Sequence, residues 1–148
     1  MKNLYIIALA LLCMANGAAA QTPAPKPPQF AAYADRLSCT EAQLAALLNK
    51  PANTVISFTL PGGFEFRGIV KSSEQKYANL KTSIITSSNF PGAIFSLSKR
   101  SDEISGEQYV GRIMSFQHND VYELQYQNGQ YTFEKKKFDN LVHTCAKQ

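Results

Sequence analysis

Tryptophan is absent from this 148-residue chain, histidine occurs twice and cysteine three times. Each scarcity removes a class of function. A zinc centre gathers three or four His, Cys or carboxylate ligands at recognisable spacing. Here His118 opens the turn-like stretch His118-Asn119-Asp120, and His143 stands two residues before Cys145, so no ligand set forms. A Ser-His-acid triad would have to draw on one of those two histidines. The G-x-S-x-G elbow, the phosphate loop and the H-E-x-x-H helix are all missing. No cofactor is implied, and the expectation is a protein that is not an enzyme. Without indoles, the large flat surfaces on which sugar rings stack are also lacking, which weighs against carbohydrate binding without excluding it.

Long apolar runs are missing too. The longest, Leu4 to Ala15, falls short of the roughly 20 residues needed to cross a bilayer, so no membrane span is expected. It follows Met1-Lys2-Asn3 and leads to Ala18-Ala19-Ala20, the small-x-small pattern read by signal peptidase. Residues 1–20 therefore read as a leader removed near Ala20/Gln21, and the chain as exported to a periplasm or the outside. Leu12, before Cys13, is too large for lipoprotein processing. The formal net charge of +4 is mild. It favours solubility and implies no nucleic-acid partner. The basic run Lys135-Lys136-Lys137 and the smaller Lys99-Arg100 read as lysine protection of a strand edge.

Removing the leader leaves Cys39 and Cys145, near the two ends of one domain and in an oxidising compartment. A disulfide between them is expected. In the chain-entropy model a loop of about 100 residues closed this way contributes ~4–5 kcal/mol.

Two segments follow the leader. Residues 21–29, "QTPAPKPPQ", are a proline-rich tether expected to be extended and disordered. Residues 30–148 form the single domain. It opens with an amphipathic helix: Ser38 or Thr40 can cap it, with Glu41 or Gln43 at capping-box spacing, and Leu44, Leu47 and Leu48 share one face before Lys50-Pro51 stops it. Phe30, Tyr33 and Leu37 could form an earlier turn on the same side. From Thr54 the period changes to two. "VISFTL", "FEFRGIVK", "NLKTSIITSS", "AIFSLS" and "EQYVGRIMSFQ" alternate as strands, with Gly68 and Gly111 marking bends inside them.

The clearest local signal is "VYELQYQNGQYTFEKKK". Asn128-Gly129 predicts a type I′ hairpin in which Tyr126 faces Tyr131, Leu124 faces Phe133 and Glu123 faces Glu134. The Glu123–Glu134 pair falls on an outward face beside Lys135 and Lys136, so ion pairing is expected of it rather than acid–base chemistry. Phe138, Leu141, Val142 and Cys145 have helical spacing. Together these segments predict a mainly β protein: a small antiparallel barrel, OB-like or SH3-like, of about seven strands, with the helix plugging one end or covering an open side.

Protein binding is the function class these residues favour. Asn89-Phe90-Pro91, followed by Gly92, form a rigid corner in which Phe90 either tucks into the barrel end or stands out as an aromatic anchor. Pro61-Gly62-Gly63 is a second exposed-turn candidate. Met114, Phe116 and Val121 lie away from the tyrosine face, where the helix either packs on them or leaves an apolar patch.

The exported leader, short lead-in, early cysteine and OB-like barrel together resemble the potempins, small secreted bacterial barrels that inhibit co-secreted proteases, and more distantly the tissue inhibitors of metalloproteinases. The resemblance implies a secreted protease as partner. The metalloproteinase inhibitors place an N-terminal cysteine on the protease zinc. Cys39 lies well inside the mature chain, so that mechanism is not carried over. The alternative partners are a carbohydrate or envelope polymer, bound through exposed tyrosines, or a secreted assembly in which the chain is an accessory subunit.

Overall fold

The computed structural model describes residues 26–103 and 106–137. The expected leader, Cys145 and with it the expected disulfide to Cys39, His143 and the segment containing Phe138, Leu141 and Val142 lie outside the described residues. The elements are β1 (Arg36–Cys39), α1 (Glu41–Leu48), β2 (Val55–Leu60), β3 (Phe64–Tyr77), β4 (Leu80–Ser87), β5 (Ala93–Asp102), β6 (Gly106–Ser115), β7 (Asp120–Gln127) and β8 (Gln130–Lys137). They form one antiparallel eight-stranded sheet in the order β1-β8-β7-β6-β5-β4-β3-β2. β2 to β8 follow one another in sequence, which is an up-and-down meander, where the OB-like expectation implies a Greek key. β1 and β2 lie side by side without pairing, so the barrel is nearly closed.

The strand count differs from the expected seven because of β1. Arg36 to Cys39 reads as the approach to the helix, yet it pairs with β8, Leu37 opposite Phe133 and Cys39 opposite Tyr131. Leu37 and Cys39 are buried there, and that tertiary pairing decides the conformation. The helix itself follows its sequence. The Thr40 hydroxyl accepts the Gln43 N–H, and the Thr40 N–H donates to Gln43 Oε1 at 2.9 Å, a complete capping box. Leu44, Leu47 and Leu48 are buried in the same cluster as Phe58 and Leu97, so α1 plugs an end of the barrel.

The interior is filled by Ile113, Val70 and the rings of Phe58, Phe66, Phe95 and Phe133, which pack at centroid distances such as 5.8 Å for Phe58–Phe95 and 5.7 Å for Phe95–Phe133. The end opposite α1 is closed by Phe30, which meets Phe90 at 5.3 Å and Tyr122 at 5.4 Å. Phe30 is brought there by the end of the proline-rich segment, which is held rather than loose. Lys26 Nζ donates to Gln117 Oε1 at 2.8 Å, His118 Nδ1 lies 2.7 Å from the Pro27 carbonyl, and the Phe30 N–H donates to the buried Asp120 carboxylate at 2.6 Å. Residues 26–29 of the expected disordered tether are thus held against the barrel.

The β7–β8 hairpin keeps its predicted register, with Tyr126 opposite Tyr131, Leu124 opposite Phe133 and Glu123 opposite Glu134. Asn128 and Gly129 both have positive φ, 53° and 78°, as a type I′ turn requires. Tyr131 is buried but Tyr126 is exposed, one rung short of the Gln127–Gln130 pair that ends the ladder.

Candidate functional site

Of the two placements open to Phe90, tucked into the barrel end or standing out as an anchor, the structure has the first. Phe90 is 7% exposed and stacks on Phe64 at 5.5 Å. Asn89 fixes this geometry: its Oδ1 accepts the Arg67 N–H at 2.9 Å and its Nδ2 donates to the Glu65 carbonyl at 2.7 Å. The Phe90 N–H donates to Ser87 Oγ at 2.9 Å. These bonds pin the Asn-Phe-Pro corner to β3 and β4, and its aromatic ring faces inward. Pro91, Gly92 and the turn Pro61–Gly63 are exposed and carry no large side chain that could act as a wedge.

The Met114–Phe116–Val121 strip divides. Met114 sits opposite Val121, which is buried, while Phe116 leaves the strand in a 3₁₀ turn (Phe116–His118) and is exposed. The helix does not cover it, since the apolar face of α1 is committed to the barrel interior. Glu123 and Glu134 are both consumed in ion pairs: Glu123 with Arg112 at 2.7 Å and Lys136 at 2.8 Å, Glu134 with Arg36 at 3.0 Å. Burial works against the charged form of Glu123, but hydrogen bonds from Lys136 and Arg112 outweigh it and hold its pKa below the ordinary value. Cys39 is buried on β1 opposite Tyr131, with its expected disulfide partner outside the described residues. Among the described residues no group of three or more His, Cys, Asp or Glu could hold a metal, and no helix is long and apolar enough to cross a membrane.

The feature that the linear sequence does not reveal is the seam where the barrel fails to close. Antiparallel ladders alternate between pairs that exchange backbone hydrogen bonds and pairs that do not. The Val70 N–H donates to the Thr54 carbonyl at 3.0 Å, which assigns the bonded pairs of β2 to even-numbered residues. On β3, the Arg67 and Glu65 backbone groups are engaged by Asn89 and Ser88 on the β4 side. Their partners across the ladder, Ser57 and Thr59, therefore turn their N–H and C=O groups away from β3, into the seam. Val55 does the same by register.

Among the described residues no strand pairs with β2 on that side. The Thr59 carbonyl alone is met by a side chain, Gln43 Nε2 at 3.3 Å. A groove of about 440 Å³ runs along this edge, walled by Gln43, Ala46, Leu47 and Lys50 of the helix segment and floored by Val55 to Thr59. On the outer surface beside it, Val55 (76% exposed) and its partner Ile69 (37%) form an apolar pair. The other seam strand, β1, is four residues long and carries Arg36, both ordinary protections of an edge. β2 has neither: "VISFTL" contains no charge and no proline. A signal for this site was available in that uncharged, β-prone run, but which strand stands at the edge is a property of the topology.

Compared with protein families, curated proteins and solved structures, the chain finds no match in any of the three.

Proposed function

We propose that this protein is a non-catalytic, exported protein-binding module that takes an extended segment of a partner polypeptide as an added strand along β2. The observation that carries the reading is an uncharged, proline-free edge whose outward N–H and C=O groups line a groove, on a barrel with a filled interior and both ends plugged. Main-chain hydrogen bonds would give affinity, and side chains beside Val55 and Ile69 would give selectivity. The edge from Val55 to Thr59 suits a segment of about five residues, roughly 17 Å long.

Inhibition of a co-secreted protease is the most concrete form. The barrel would pair with a strand or loop beside the cleft and occlude it by bulk, without an aromatic wedge. In this reading Cys39 is bridged to Cys145 in the exported protein, which non-reducing mass spectrometry of the Cys39 peptide tests directly.

The test of the binding mode is Ser57→Pro. The Ser57 N–H points into the seam, so proline removes one edge donor without breaking the β2–β3 ladder. The wild-type mature chain should inhibit proteolysis in the secreted fraction, and the amides of Val55, Ser57 and Thr59 should exchange more slowly once the captured protease is bound. Ser57→Pro should fold and lose inhibition. Unchanged exchange at those amides in the complex would remove the edge from the interface.

A carbohydrate reading rests on Tyr77 and Tyr126, both more than half exposed. It predicts retention on a polysaccharide column that is lost when those two tyrosines become alanine.

A further inference from the structure

At the barrel end opposite α1 lies a cavity of about 620 Å³, built from three segments far apart in sequence: Lys26 to Pro28, His118 to Asp120, and Lys135 to Lys137. Four ammonium groups line it against two carboxylates, Asp35 and Asp120. What matters is which of these charges the fold already uses. The Asp120 carboxylate is buried and accepts the Phe30 N–H, so it is turned into the protein. Lys135 donates to the Tyr33 carbonyl at 2.7 Å, pairs with Asp35 at 3.3 Å and sits 5.7 Å from the centre of the Tyr122 ring. Lys136 is held by Glu123. Lys26 and Lys137 are different. Lys26 reaches a neutral amide, Gln117, and the ion pairs of the described residues include neither lysine.

Two uncompensated cations thus face one cavity from separate walls. The Pro27 carbonyl can only accept a hydrogen bond, so His118 Nδ1 carries its proton and the ring is oriented by the strap beside Lys26. The volume lies in the range of small-molecule sites rather than that of a single ion. An ammonium is a compact charge with three donors, suited to a tetrahedral oxyanion.

We propose that this mouth binds a phosphate- or sulfate-class anion, carried on a small polar molecule or on the end of an acidic polymer, with Lys26 and Lys137 as the two groups that hold it. The site is separate from the β2 edge and stands or falls independently of it.

The experiment titrates the mature chain with inorganic pyrophosphate at low ionic strength, following heat and backbone amide shifts. Saturable binding is expected, with shifts centred on His118, Asn119 and Lys137. Lys26→Gln and Lys137→Gln should each weaken it about tenfold, the equivalent of one charge-assisted contact. Lys71→Gln, an exposed lysine on β3, should change it less than about twofold. A second arm adds dextran sulfate: displacement of pyrophosphate with the same dependence on Lys26 and Lys137 supports the site and assigns it to polymer ends. Saturable pyrophosphate binding that dextran sulfate leaves untouched supports the site and assigns it to free anions. Non-saturating shifts spread over all lysines, or equal weakening by Lys71→Gln, would overturn the proposal.

Discussion

Gln43 reaches from α1 to the Thr59 carbonyl, 3.3 Å from its Nε2, and so occupies one rung of a strand edge that no other described strand pairs with. The same side chain accepts the Thr40 N–H through Oε1, completing the helix cap. Two roles thus rest on the two ends of one amide, and they can be separated. Gln43→Glu keeps an acceptor for the Thr40 N–H but has no donor for Thr59. Gln43→Ala loses both. The alanine variant should be about 1 kcal/mol less stable in denaturant titrations, the glutamate variant less affected. Under strand addition both release the Thr59 carbonyl, so a bound segment should exchange its amides no faster than on the wild-type chain.

Phe90 ties the β4–β5 corner to the barrel end through Phe64, Phe30 and Tyr33. Truncating a buried phenylalanine removes its transfer free energy and leaves a cavity. Phe90→Ala should therefore cost about 3–5 kcal/mol, and Phe90→Leu clearly less. The check is the denaturant midpoint. If Phe90 were an interface anchor, Phe90→Ala would keep the wild-type midpoint and lose the partner instead.

How far the sequence revealed this fold depends on where the deciding interaction lies. The Thr40 cap, the Leu44/Leu47/Leu48 face and the Asn128-Gly129 register are set by neighbours a few residues apart, and all were legible. β1 was not, because Arg36 to Cys39 becomes a strand through pairing with residues 131–134. The Phe90 corner was half legible. Pro91 and Gly92 announce rigidity, but the direction of the ring depends on Asn89 bonding to Glu65 and Arg67 on another strand. The seam is the extreme case, since an edge is defined by what fails to pair.

Glu123 supplies a pH signature. Its side chain is mostly buried between Arg112 and Lys136, and its folded pKa is depressed below the ordinary value of about 4.5. A depressed carboxyl stabilises the fold above its unfolded pKa, and that contribution disappears as pH falls through the folded value. Glu123→Gln should thus be destabilised by about 1 kcal/mol at pH 7, since both cationic partners are partly solvent-screened. The gap to the wild type should close on acidification below pH 4.5. Paired denaturation curves at pH 7 and at roughly pH 3 measure it; a gap that persists in acid would mean that packing, not charge, holds Glu123.

Gly68 and Gly111 both lie inside strands and are both buried, yet their surroundings differ in what can give way. A Cβ on Gly68 would run into the Thr86 carbonyl oxygen and come within 3.0 Å of Ile85 Cγ2, in the β3–β4 ladder where a register shift follows between Val70 and Ser72. Backbone held in a ladder cannot retreat without breaking hydrogen bonds. A Cβ on Gly111 would meet Leu97 Cδ1 and the Ser96 carbonyl at 3.3 Å, contacts that a few tenths of an ångström relieve. Gly68→Ala should therefore cost about 3 kcal/mol or more, and Gly111→Ala about 1 kcal/mol. The strain at Gly68 lies between β3 and β4, one strand in from the open edge. Amide exchange should then show Gly68→Ala loosening β2 and β3 first, with the β7–β8 hairpin still protected. Uniform loss of protection across all eight strands would show instead that the β2 edge is no weaker than the rest of the barrel.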